Sequence, residues 1–293
     1  MRAFSGSFSA FRSSAFNRLT IAADVPGGAG KSASEVPTTR LVVLRTGQAV
    51  SRVHAHCGPF YRLFQRTLND GEGNPLRKIA VDELDMTCRR ADDELPSLAR
   101  YHAAIMTGSP AYVGDDEPWM RWGVRLVRKL VDDDLPFLAV CFGHQLLGQA
   151  YGADVGKNPR GREMGTVDVA LTNTPVIIDD PLWSTMPRSF QAQCTHRDVI
   201  RSPGEHLVVL GKAPHDGNHV VKAGRRQWGV QFHPEFDDVT MRLYLEVRRE
   251  ALDKELGPNA CESRISGVTV TSQAASLMRR FAAIAHDEAQ RRG

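Results

Sequence analysis

The chain has 293 residues, 42% of them apolar and 24% charged, enough to bury a sizeable core in one large α/β domain or two small ones. Its formal net charge of +3 comes entirely from the first 40 residues, where Arg2, Arg12, Arg18, Lys31 and Arg40 face only Asp24 and Glu35. The rest is neutral overall and lacks the electrostatic footprint of a nucleic-acid binder, and no run approaches the roughly 18 uncharged apolar residues of a membrane span.

Residues 1–38 are rich in Ser, Ala, Gly and Phe and lack a sustained apolar period, so a disordered extension is expected. Early arginines and serines, with no acid before Asp24, also fit an organellar transit peptide or a translated upstream segment. Within this tail, Gly27-Gly28-Ala29-Gly30-Lys31-Ser32 suggests a phosphate loop. A Walker A spacing needs glycine where Val25 stands, and no amphipathic helix follows before Pro37, so nucleotide binding is not assigned.

From Leu41 short apolar runs alternate with amphipathic stretches. Leu41–Leu44, Ala103–Met106 and Phe137–Val140 read as buried strands. Before the last of these, Met120, Val124, Val127 and Val131 recur at helical spacing, with acids at the start and Arg128 and Lys129 near the end, which suits a helix dipole. Further strands are expected at Val167–Leu171, Leu207–Leu210 and Gln227–Gln231, and a terminal helix at Ser272–Ala285. Strand-helix-strand order at this spacing predicts right-handed crossovers and an open, mostly parallel, doubly wound, flavodoxin-like α/β sheet with helices on both faces. The expected organisation is one domain over residues 39–250 and a C-terminal extension, 251–293, whose helix packs on it. Ligands then gather at the carboxyl ends of the strands.

Pro136–Leu147 is an apolar strand running straight into a helix that stops at Gly152, with Cys141 at the sharp turn. Such an elbow raises a thiol above the sheet and offers a thiolate the dipole and free N–H groups of a helix N-terminus. Taken alone, a lone cysteine is more often core filling. Cys57, Cys88, Cys194 and Cys261 lack the elbow context and read as inert reduced thiols. With no CxxC and no Cys/His ligand spacing, no metal site is assigned.

A base for the thiol can come from Gln231-Phe232-His233-Pro234-Glu235, at the end of a strand. Pro234 keeps His233 extended, and in extended chain the side chains of His233 and Glu235 point the same way, so the carboxylate can fix the imidazole's tautomer.

Cys141-Phe142-Gly143-His144-Gln145 together with His233-Pro234-Glu235 resembles the class I glutamine amidotransferases, and the similarity extends from about Leu41 to Phe236. It includes Thr107-Gly108-Ser109-Pro110 and Gly161-Arg162-Glu163-Met164-Gly165, and is strongest to free-standing members similar to the amidotransferase half of GMP synthase and to γ-glutamyl peptidases. The resemblance implies a γ-glutamyl thioester on Cys141, with His233 passing protons and Glu235 orienting it. It also implies an oxyanion hole from the N–H groups of Gly108 and Phe142, and substrate contacts at Ser109, Gln145, Thr195 and His196. Thr195 stands where relatives commonly carry Ser, and Ala139 where they often carry Gly. Glu163 could cover the pocket or sit on the surface, and His144 and His196 read as structural rather than basic groups.

Three functions follow from the resemblance. One is a glutaminase passing ammonia to an acceptor or a synthase partner, since the chain carries no loop like that of the ATP pyrophosphatase half of GMP synthase. The second is a self-contained hydrolase of γ-glutamyl peptides or amines. The third, a non-catalytic binding protein on the same fold, is disfavoured by the complete Cys-His-Glu set. In each the ligand is a small molecule, with neither metal nor organic cofactor, no nucleic acid, no membrane, and a cytoplasmic location.

Overall fold

The computed structural model describes residues 38–69 and 79–293; the expectations for the N-terminal tail fall on residues outside these. In chain order the elements are β1 (Thr39–Arg45), α1 (Ser51–Cys57), α2 (Phe60–Asn69), β2 (Ile79–Asp85), β3 (Ala103–Met106), α3 (Pro118–Asp132), β4 (Phe137–Val140) and α4 (Phe142–Ala150). There follow β5 (Asp154–Lys157), β6 (Glu163–Leu171), β7 (Ser189–His196), β8 (Asp198–Ser202), β9 (Val208–Ala213), β10 (Asp216–Lys222) and β11 (Gln227–Val230). Four helices close the chain: α5 (Asp238–Val247), α6 (Arg249–Leu256), α7 (Ala260–Ser266) and α8 (Ser272–Arg292).

Nine strands form one sheet in the order β2-β1-β3-β4-β11-β10-β9-β6-β7, and β5 pairs with β8 separately. The first five are parallel neighbours, and from β11 to β7 every pairing is antiparallel. The expected mostly parallel sheet is therefore met in one half only. For two of these pairings the reason is connection length: Pro214-His215 joins β9 to β10 and Ala223–Arg226 joins β10 to β11, and links this short permit only antiparallel neighbours, because a parallel crossover needs a dozen residues or more.

Side chains of the parallel strands alternate between two cores, the period of two expected of a strand covered on both faces. Leu41, Val43, Ile105, Leu138 and Val140 pack with Phe64 of α2 and Leu277 and Phe281 of α8. Val42, Leu44, Ala104, Met106, Phe137 and Ala139 pack with Trp122 and Leu126 of α3 and Leu146 and Leu147 of α4. Helix α3 starts with Pro118 in its first turn, as the missing proline N–H permits, and buries Met120 and Val127 from the predicted stripe. Residues 251–293, expected as an extension, supply α8, which packs on β1 and β7 and contributes Leu277, Met278, Phe281 and Ala285 to the first core. Burying such a side chain is worth roughly 1.5–3 kcal/mol, so α8 helps hold the sheet rather than decorate it.

Candidate active site

Three adjacent parallel strands end at one point. Met106 of β3 lies opposite Ala139 of β4, which lies opposite Gly229 of β11, so the chain leaving each strand emerges beside the others. From β3 comes Gly108, from β4 Cys141, and from β11 His233.

Cys141 occupies the residue between β4 and α4 with φ 52° and ψ −101°, a backbone conformation that side-chain-bearing residues adopt only when the surroundings force it. Its N–H is held by the Val230 carbonyl at 2.8 Å, tying the elbow to β11. Gly143 two residues on is required by space: a Cβ there would lie 2.9 Å from the Met106 carbonyl oxygen. The thiol is 5% exposed, and its sulfur lies 4.0 Å from the Thr195 carbonyl oxygen.

His233 is fixed on three sides. Its N–H donates to the Gln193 carbonyl at 2.8 Å, which ties the end of β11 to β7. Its ring stacks on Phe236 with centroids 4.1 Å apart. Nδ1 bonds Glu235 Oε1 at 2.8 Å, with both side chains buried. Burial alone would drive the imidazole toward its neutral form, but the Glu235 charge and Cys141 outweigh it and raise His233 to about 10. Nε2 has no hydrogen-bond partner among the described residues. Gly108 is the spacer: a Cβ there would sit 2.8 Å from His233 Cε1, 3.7 Å from Nε2 and 3.5 Å from Cys141 Cβ, so only glycine lets the three segments meet.

The N–H groups of Gly108 and Phe142 donate to no acceptor among the described residues, while the Gly108 carbonyl is turned away by hydrogen bonds from the Thr46 and Thr107 hydroxyls at 2.9 and 3.0 Å. Ser109 lines the site, but its hydroxyl is committed to closing the loop, donating to the Thr46 carbonyl at 2.8 Å and accepting from Ala111 N–H. Gln145 lines the site with its amide nitrogen engaged by the Asp198 carbonyl at 2.7 Å, leaving its oxygen as the group to offer a ligand.

Two small cavities meet at Cys141, sharing Ser109, Pro110, Thr195 and Arg248. One, of about 30 Å³, contains His233, Gly108, Val50, Phe60 and Tyr244; the other, of about 50 Å³, contains Gln145, Arg162, His196, Arg197 and Asp198. A larger cavity, about 700 Å³ and lined by residues such as Arg160, Lys212 and Asn218, holds none of the expected site residues.

His196 borders the second cavity, but its Nε2 is turned to Glu163 Oε2 at 2.9 Å. Glu163 is therefore neither a pocket cover nor a surface acid; it is 5% exposed and is the first residue of β6, opposite His196 of β7. Burial alone would raise its carboxyl, but the His196 hydrogen bond and charge hold it below the usual range. His219 of β10 lies near the same carboxylate and 3.3 Å from Asp216, and the ligand atoms of Glu163, His196 and His219 lie within 4.8 Å of one another, close enough to hold a metal ion. No motif along the chain pointed to His219, Asp216 or Arg248, since each arrives on an element far from the elbow. His144 is fully buried and pushed down to about 4 by that burial, a neutral core side chain.

Residues 74–245, more than half of the chain, match the family model for class I glutamine amidotransferases. The chain belongs to that family. Among relatives of this amidotransferase-family chain, γ-glutamyl peptidase 5 of Arabidopsis thaliana is 26% identical over 181 residues, covering 61% of this chain and 69% of that protein. A GMP synthase of Nitratidesulfovibrio vulgaris is 34% identical over 137 residues, which span 45% of this chain and only 24% of the synthase. A glutamine-hydrolysing GMP synthase subunit from Methanocaldococcus jannaschii is 34% identical over 105 residues, 34% of this chain and 51% of its own length. In fold, the amidotransferase-family chain matches a glutamine amidotransferase of Thermotoga maritima with a TM-score of 0.60 at 16% identity, covering 86% of this chain and 98% of that one. Among the described residues no helix is long and apolar enough to cross a membrane.

Proposed function

We propose that the chain hydrolyses γ-glutamyl amides, glutamine being the simplest, through a thioester on Cys141. The Cys141 sulfur attacks the side-chain carbonyl carbon, and the N–H groups of Gly108 and Phe142 receive the oxyanion. His233 gives its proton to the departing nitrogen and then takes one from the water that cleaves the thioester, while Glu235 holds the ring in place. Gln145 and the backbone at Thr195 and His196 receive the glutamyl end. The observation that carries this reading is the Gly108 position, where Cys141, His233 and an unoccupied N–H converge within a few ångströms. The order β2-β1-β3-β4-β11 of the parallel half supports a doubly wound, flavodoxin-like description of that half.

With ammonia as leaving group, the chain would feed an acceptor through a synthase partner, a reading supported by its likeness to a GMP synthase subunit. With a larger amine it would act alone, a reading supported by the apolar walls Val50, Phe60 and Tyr244 beside His233. The test is glutamate release by purified protein from glutamine and from γ-glutamyl dipeptides. Cys141→Ser should reduce turnover by about 10³-fold or more. Turnover of neither substrate, with or without cell extract, or an undiminished serine variant, refutes the thioester.

A further inference from the structure

Three arginines line the cavities at Cys141. Arg162 is neutralised by Glu255 through bonds of 2.8 and 3.2 Å. Arg197 lies over the ring of Tyr112 and donates to its hydroxyl at 3.1 Å. Arg248, at the junction of α5 and α6, differs from both. Its backbone caps α5 by donating to the Tyr244 and Leu245 carbonyls, which aims the side chain at the site. No carboxylate pairs with it among the described residues, and its Nε is buried without a partner. Burial, joined by repulsion from Arg162, already holds its guanidinium below the ordinary arginine range. A half-buried cation with no counter-charge is costly until an anion arrives.

A substrate could bring that anion at either end. The glutamyl end has a polar cavity with Gln145, Asp198 and two arginines of its own, Arg162 and Arg197, and Arg248 stands where the two cavities join. The leaving group has the other, where His233 must protonate the departing nitrogen. That cavity is walled by Val50, Phe60 and Tyr244, opens beside the exposed Gln48, and has Arg248 as its one cationic side chain besides His233. Ammonia would use neither the apolar walls nor the cation. An amino acid leaving by its amine would use both, its α-substituent against the walls and its carboxylate on the guanidinium, extending outward past the small cavity.

We propose that Arg248 anchors the carboxylate of the leaving amine, so that the preferred substrate is a γ-glutamyl amino acid or short γ-glutamyl peptide rather than glutamine. The inference rests on the thioester reading above. In the first step the sulfur bonds the carbonyl carbon of the γ-carboxyl group, the bond from that carbon to nitrogen breaks, and the His233 proton goes to the amine nitrogen. Water then displaces the thiolate, and the two products are glutamate and a free amino acid.

The experiment compares γ-glutamylalanine with γ-glutamylalaninamide, which differ only in the charge of the leaving group, and sets both against glutamine. The full chain should favour the free carboxylate by roughly 10- to 100-fold in kcat/KM, carried mainly by KM. In Arg248→Met the ratio of the two dipeptide substrates should collapse toward one, and Arg248→Lys should restore part of it. The wild-type comparison needs no variant to fold. A wild-type enzyme that cleaves glutamine at least as well as γ-glutamylalanine, or is indifferent to the masked carboxylate, overturns this inference and leaves the thioester standing. So does a carboxylate preference that persists in Arg248→Met. A chain inert on all three substrates sinks both readings.

Discussion

In the parallel half of the sheet, β3, β4 and β11 deliver Gly108, Cys141 and His233 on segments that follow a buried strand, and the groups proposed to react are left facing a cavity. In the antiparallel half, β6, β7 and β10 bury Glu163, His196, Asp216 and His219 so that the two carboxylates face the two imidazoles. Both halves concentrate ionisable side chains, and both leave buried polar atoms unpartnered among the described residues, His233 Nε2 in the first and His196 Nδ1, Asp216 Oδ2 and His219 Nδ1 in the second. A buried ionisable cluster is thus not by itself a reactive site. What distinguishes the parallel half is convergence: the Cys141 thiol, His233 and the backbone N–H groups of Gly108 and Phe142 meet at one point beside a cavity.

Substitutions should separate the two halves, activity falling in one and stability in the other. The largest effect is expected from Glu235→Gln, which removes the charge that raises His233. The value of kcat/KM should fall by about 10²- to 10⁴-fold. The wild-type imidazolium persists up to about pH 10 and is lost above it, so the alkaline limb of the pH–rate profile should stand near that value and move down in the variant. A limb that stays in place disconnects Glu235 from the base.

Next is Gly108→Ala, whose new Cβ would fall 2.8 Å from His233 Cε1. A displaced base should cost about 10² in kcat, with the melting temperature nearly unchanged. An equally active alanine variant would mean that the three segments do not converge as described.

The smallest effect on turnover should come from Glu163→Gln in the antiparallel half, which should lower unfolding stability by about 1–3 kcal/mol at neutral pH while changing kcat/KM only a few-fold. Because the folded carboxyl titrates below its unfolded value, its stabilisation is present above the unfolded value and is lost as pH falls through the folded one. Urea unfolding from pH 7 downward should therefore show a shallower acid loss in the variant. A variant that unfolds like the wild type but loses activity would erase the distinction between the halves.

The strands that end in reactive residues were legible in the amino-acid order, because each of their signals is local. Apolar runs mark β1, β3 and β4, the small residue Gly143 marks the elbow, and the alternation of extended chain brings His233 and Glu235 together within three residues. Helix α3 was legible for the same reason, through its apolar period and its charge order. The antiparallel half was legible only in part: β6 and β9 were expected at Val167–Leu171 and Leu207–Leu210, but β7 and β10 were not, and no pattern in these strands names their neighbours. That Glu163 meets His196 across β6 and β7, that α8 joins the core, and that Arg248 reaches Cys141 unpaired emerged only from the folded chain. Those facts depend on contacts between segments tens to hundreds of residues apart, where the free energy lies in burial and in the pairing or non-pairing of charges. No window along the chain contains both partners.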